Sequence, residues 1–281
     1  MRSQYVSGDI PQGATSNIKR QTVFLKPQTH NRFPEDAVMR TSNPALSERV
    51  FSRPATGNET MTLSGAVNRT FVLLVLVVFG ASWTWRLFYT QGAQAVMPWV
   101  WAGALGGLGV AILTIFKPAW SPALAPAYAV VEGLAVGGIS ALFETQFPGI
   151  VIQAVTLTFG TLFALLLAYR SGLIRVTNNF RLGIVSATGA IALVYMIGIL
   201  GRVFFRWQMP FIHESSPIGI AFSVFVVIIA ALNLVLDFDF IEKGDGVAPK
   251  YMEWYAAFGL VVTLVWLYLE ILRLLAKTRR R

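Results

Sequence analysis

The residues able to do chemistry in this chain are few, and most of them are carboxylates embedded in apolar sequence. Glu132 lies deep in one apolar run, Asp237 and Asp239 close another, Glu253 opens a third and Glu270 sits near its far end. A charge at bilayer depth costs about 2.5–3.5 kcal/mol on insertion scales, so each needs a partner, a proton or a water-filled pocket. Asp237 follows Ala230 to Leu236, a run broken only by Asn233; four apart, Asn233 and Asp237 share one helical face. Asp237 and Asp239 differ by roughly 200° around the same helix and point apart. Asp237 therefore takes the bundle interior, and Asp239 the helix end beside Lys243. An enclosed carboxylate with access to water is a proton-sensitive switch, because desolvation disfavours its charged form, or an oxygen ligand for a hard cation such as Ca2+. The bland reading of Asp237 is a structural hydrogen bond to a neighbouring helix.

The other carboxylates have similar pairs of readings. Glu132, between Tyr128 and Gly133, either lines a pathway or, protonated, holds two helices together. Glu253 with Trp254 reads as an interfacial anchor. Glu270 reads as the i,i+3 partner of Arg273.

Other chemistries lack their parts. There is no cysteine, and the histidines are only two, His30 and His213, so thiolate sites, disulfides and histidine metal clusters are excluded. His213-Glu214 has no second histidine four residues on, and Thr177, Ser186 and Thr188 have no nearby base to activate them. A paired-aspartate protease needs its aspartates on facing helices, whereas Asp237 and Asp239 share one. The expectation is therefore a protein that is not an enzyme and carries no cofactor, with Ca2+ at most as a transported ion.

The elements that must position these residues are membrane spans. Of the 281 residues, 55% are hydrophobic and 13% charged, against about 25% charged in soluble domains. Charge-free runs from Leu87 to Phe116, Thr145 to Tyr169, Leu182 to Gly201 and Ser215 to Leu236 reach the ~20 residues needed to cross a bilayer. The pattern predicts an all-α membrane protein of seven spans, near 67–88, 96–116, 121–143, 150–169, 182–204, 217–240 and 254–275. Residues 1–60 are polar, with eight Lys or Arg, and read as a disordered cytoplasmic tail ahead of a membrane domain over 61–281. No apolar stretch precedes about residue 70, so the first span serves as the insertion signal. Gly103 with Gly107, and Gly133 with Gly137, stand at GxxxG spacing and predict close helix packing.

The net charge of +9 gathers in the tail and at span ends, where it meets the lipid bilayer and its headgroups; no basic face marks a nucleic-acid partner. With the N-terminus inside, inner loops hold Lys117, Arg170, Arg175, Arg181, Lys243 and Lys250, and outer ones Arg86, Arg202 and Arg206, which favours a cytoplasmic N-terminus. Lys277, Arg279, Arg280 and Arg281 oppose this, unless one segment is re-entrant. Oligomeric state has no signal in the sequence.

Three stretches, SPALAPAYAVVEGLAVGGIS (Ser121 to Ser140), ALNLVLDFDFIEKG (Ala231 to Gly244) and APKYMEWYAAFGLVVTLVWLYLEILRLL (Ala248 to Leu275), resemble the Bax inhibitor-1, or transmembrane Bax inhibitor motif, family and its bacterial YccA-like branch. NPAL at Asn43 to Leu46 is also similar to tails of bacterial members. The resemblance implies a seven-helix bundle with a central last helix between two three-helix layers, in the bacterial inner (plasma) membrane. It further implies a pH-sensitive Ca2+ leak in which aspartates on the sixth and seventh helices share a proton. By position these fall on Asp237 and on Thr263, which cannot ionise, so Asp239 or Glu253 would have to substitute. The family's third-helix Glu before Gly matches Glu132-Gly133, and Lys117 offers a counter-charge. Some relatives imply another role, as non-transporting modulators of a membrane-anchored protease or other membrane protein.

Overall fold

The computed structural model describes residues 60–205 and 216–280. In that range the chain forms α1 (Leu63–Gln91), α2 (Ala93–Phe116), α3 (Ser121–Gln146), α4 (Ile150–Arg170), α5 (Asn178–Phe205), α6 (Pro217–Gly244) and α7 (Met252–Arg279). All seven are long and apolar enough to cross a membrane. Among the described residues no strand forms, and one isolated bridge pairs Thr60 with Pro249. The chain is thus an all-α, multi-pass membrane protein. The expected tail, His30, His213 and the NPAL segment lie outside the described residues.

Local chemistry sets the helix ends. Thr62 caps α1, its hydroxyl accepting from Gly65 N at 3.1 Å, and Ser216 caps α6 through Gly219 N at 3.1 Å, with Pro217 in the first turn where no amide is needed. Gly92, at φ 85°, ends α1 and starts α2 within the charge-free run from Leu87 to Phe116. Gly149, at φ 80°, makes the α3–α4 turn, and Glu144 accepts from the amides of Gly149 (2.5 Å) and Val151 (3.0 Å) there.

The helices overrun the expected spans. α1 begins at Leu63 rather than 67, α5 at Asn178 rather than 182, and α6 continues to Gly244 rather than 240. Polar residues at these ends keep the helical path because they find partners within the protein. Met61 N donates to Ala248 O (2.7 Å) and Gly246 N to Met61 O (2.9 Å), so Thr60 and Met61 are tied to the α6–α7 turn.

α1, α2 and α3 pack as one group, α4 and α6 pack together with α5 against α6, and α7 contacts α1, α3, α4 and α6. In its most apolar window α7 is 67% buried, against 11–22% for α1, α2, α4 and α5, which makes it the central helix. The outer helices turn large apolar side chains outward, including Phe71 (68% exposed), Phe79 (69%), Leu105 (64%) and Phe116 (76%). Surface of that kind is covered by lipid.

The glycine pairs predicted to bring helices together do so. A Cβ on Gly133 would lie 2.4 Å from Val77 O and 3.1 Å from Gly80 Cα, and one on Gly137 would lie 2.2 Å from Ala81 O. Gly103 meets the α3 backbone in the same way, 2.6 Å from Ala135 N. Lys277 Nζ donates to Gly219 O (3.1 Å) and Ser223 Oγ (2.8 Å) at the start of α6, so α7 runs the full depth of the bundle and ends opposite Thr60.

Candidate functional site

Asp237 sits two turns inside the end of α6 and is 1% exposed. One turn deeper, Asn233 (4% exposed) donates its Nδ2 to Thr188 Oγ1 on α5 at 2.9 Å and to Ile229 O at 2.8 Å. These bonds fix the amide across the α5–α6 contact. The antiparallel register of α6 and α7, set by their short turn at one end and by Lys277 at the other, places Thr263 level with Asn233. Thr263 is 3% exposed and donates to Gly259 O at 3.2 Å, as a helix-embedded threonine commonly does. Asn233 is thus bonded to α5, while the residue level with it on α7, Thr263, cannot ionise.

Asp239 faces elsewhere, as the helical spacing requires, and it lies beside Lys243 as expected. It is 7% exposed, and its Oδ2 accepts from Arg181 Nη2 on α5 at 2.6 Å and from Lys243 Nζ at 2.8 Å. Arg181 is itself 5% exposed, so the pair is a buried one with a second cation at its edge. Close by, the Tyr169 hydroxyl of α4 donates to Glu242. Together these bonds tie α4 and α5 to the end of α6.

Glu253, expected as an interfacial anchor, is 0% exposed. Its carboxylate accepts from Thr62 N (2.9 Å) and Thr62 Oγ1 (2.8 Å), pairs with Arg69, and has Lys250 Nζ at 3.4 Å. Gly65 makes this possible, because a Cβ there would fall 2.2 Å from Glu253 Oε1. With Asp245 Oδ1 accepting from Leu63 N (3.0 Å), it clamps the start of α1 to the start of α7. A carboxylate so committed is a poor stand-in for a titrating partner of Asp237.

Glu132 is half-buried and turns toward α2, where a Cβ on Gly107 would lie 2.4 Å from its Oε2. It makes no hydrogen bond or ion pair with a described residue. Glu270 pairs with Arg273 at i,i+3 as expected (2.8 Å), but it is 2% exposed and also accepts from Tyr195 OH on α5 at 2.9 Å. Lys117 caps the end of α2, exposed and without an ion pair to a described residue. The counter-charges the carboxylates use are Arg69, Arg181, Lys243, Lys250 and Arg273.

The Bax inhibitor 1 like family model matches residues 43–280. The chain belongs to that family. No curated protein and no solved structure matched it. As a Bax inhibitor 1 like protein it has the central seventh helix that the resemblance implies, and level with Asn233 on that helix stands Thr263. Among the described residues no three His, Asp or Glu side chains gather to hold a metal ion.

Arg181, Tyr169, Tyr195, Thr62 and Arg69 were not among the residues singled out from sequence. Lys243 at i+4 from Asp239 was readable as a helix pair. Arg181, 58 residues from Asp239, carries no such mark and looks like a loop charge.

Proposed function

We propose that this protein is a proton-regulated leak for a hard cation, with Ca2+ the ion its oxygen chemistry favours and Asp237 the proton sensor. It would belong to the YccA-like branch of its family and lie in the bacterial inner membrane, with a cytoplasmic N-terminus as the basic residues of its loops favour. The observation that carries the reading is the enclosure of Asp237, at 1% exposure, on the α6 face that packs inside the bundle. A protonated carboxyl is tolerated there. An ionised one needs water or a cation. Loss of the proton therefore favours an arrangement in which water reaches between α6 and α7, and with it a cation that the carboxylate attracts. Asn233, Thr188 and Thr263 supply neutral oxygen one turn deeper. Asp239 serves as a strut for α5 through Arg181, so Asp237 is the aspartate of α6 that takes the sensor role.

The test is Ca2+ entry into dye-loaded proteoliposomes from mildly acid to mildly alkaline pH. Flux is expected to rise with pH in the intact protein. Asp237→Asn, a permanent mimic of the protonated form, is expected to hold the low level throughout. Folded, inserted protein that gives no flux above empty vesicles at any pH would overturn the leak. It would favour a non-transporting modulator of membrane proteins, a membrane-anchored protease among them.

A further inference from the structure

A cavity of about 480 Å³ lies between α1 and α4, with α3 and α7 as its floor. Its size is in the ~300–1,000 Å³ range of ligand sites. It is separate from the Asp237 region, and the inference below does not rest on the leak reading.

Three features define its occupant. The first is length. On α1 the lining runs from Leu74 to Trp85, a rise of roughly 16 Å, about the ~15 Å depth of one leaflet. The cavity occupies the half of the bundle where α1 ends and α4 begins, opposite Thr60. The second is wall chemistry, because every hydroxyl in the lining has its proton committed. Ser82 donates to Val78 O (2.7 Å), Thr158 to Ala154 O (2.7 Å) and Ser140 to Val136 O (2.6 Å), which leaves Tyr268 OH to donate to Ser140 Oγ at 2.7 Å. The wall presents hydrocarbon to hydrocarbon. The third is charge at the mouth. Arg86 stands one turn from Ser82 on the same face of α1, toward the membrane surface, exposed and with no ion pair to a described residue. Glu144, also at that end, is occupied by the amides of Gly149 and Val151.

We propose that this crevice holds one acyl chain of an anionic phospholipid from that leaflet, with the lipid phosphate against Arg86. The crevice is continuous with the lipid-facing surfaces of α1 and α4, so a chain enters sideways from the bilayer. Its inner wall, including Ser140 (4% exposed), Leu264 (3%) and Tyr268 (8%), is nonetheless out of reach of lipid that only surrounds the bundle.

The experiment uses the full chain in proteoliposomes doped with phosphatidylglycerol or phosphatidylcholine bearing a diazirine on one acyl chain, photolysed and mapped by mass spectrometry. Labelling is expected on peptides holding Ser140 and Tyr268. Val155→Phe and Ser82→Phe, which fill the crevice from different helices, should each cut that labelling several-fold. Labelling at Leu105, on the outer face of α2, should stay unchanged as a control for insertion and folding. Phosphatidylglycerol should label the inner peptides about fivefold more than phosphatidylcholine, the worth of one basic residue near an anionic headgroup, and Arg86→Gln should remove that preference. Absence of label on the inner peptides, as a helix of a second copy filling the crevice would produce, overturns the proposal. So does inner labelling that both filling variants leave unchanged. A phosphatidylglycerol preference that survives Arg86→Gln overturns the headgroup assignment.

Discussion

Replacing Gly133 by alanine tests the seam between α1 and α3 directly. The added methyl would lie 2.4 Å from Val77 O and 3.1 Å from Gly80 Cα. Carbon atoms pack best at about 3.5–4.0 Å, so α1 must retreat by roughly 1 Å. Both obstructing groups are backbone and cannot rotate away as a side chain would. Overpacking of this kind costs about 1–3 kcal/mol, and a rigid obstacle places it at the upper end. Alanine recovers about 0.5–1 kcal/mol by lowering the conformational freedom lost on helix formation, which leaves a net loss of about 2 kcal/mol. Gly109→Ala and Gly160→Ala, which meet nothing within 4 Å, are the controls. They are expected to gain about 0.5–1 kcal/mol. Detergent-solubilised variants can be compared by tryptophan fluorescence on heating and by the surviving monodisperse fraction. The double variant Gly80→Ala with Gly133→Ala should lose less than the sum of the two singles, since one retreat of α1 relieves both clashes. Gly133→Ala melting at or above the parent temperature would refute the seam argument.

Arg181→Leu leaves Asp239 with Lys243 alone and should cost about 3–5 kcal/mol, with most of it restored when Asp239→Asn is added; unfolding of the single and double variants gives the coupling. Glu253→Ala strips the acceptor from Thr62 N and should cost about 1–3 kcal/mol, while Glu253→Gln keeps an acceptor and loses less. Amide exchange at Thr62 and Gly65 reports both. Tyr195→Phe removes one of the donors to Glu270 and should destabilise by about 1–2 kcal/mol, read from the same melts, with Arg273→Gln the larger loss because a carboxylate at 2% exposure then lacks its cation.

The spans were legible because lipid imposes a one-dimensional rule: about twenty apolar residues in a row, whatever lies beside them. The glycine spacing was legible for a related reason, since Gly133 and Gly137 fall on one face and only close approach explains small residues there. The extra turns of α1, α5 and α6 were not, because hydropathy marks where charges begin rather than where a helix stops. Asp239 illustrates this. Its charge reads as a span end, yet Arg181 lets it remain buried. Glu253 was misread for the same reason: beside Trp254 it has the look of a surface residue, and what buries it is Thr62, 191 residues away. A residue's own neighbourhood in sequence reports its helix face and little of what faces it.

The clamp at Glu253 orders events during synthesis. Thr62 leaves the ribosome 191 residues before the carboxylate it will bind, an interval of roughly 10–40 s at ordinary elongation rates. An α1 that inserts as it is made would hold Arg69 and the cap amides at its start without Glu253 through that time. α7, translated after the other six helices, is therefore expected to close the bundle. A chain stalled before α7 is expected to carry an open seam at α1, the kind of exposed polar edge that membrane quality control can recognise.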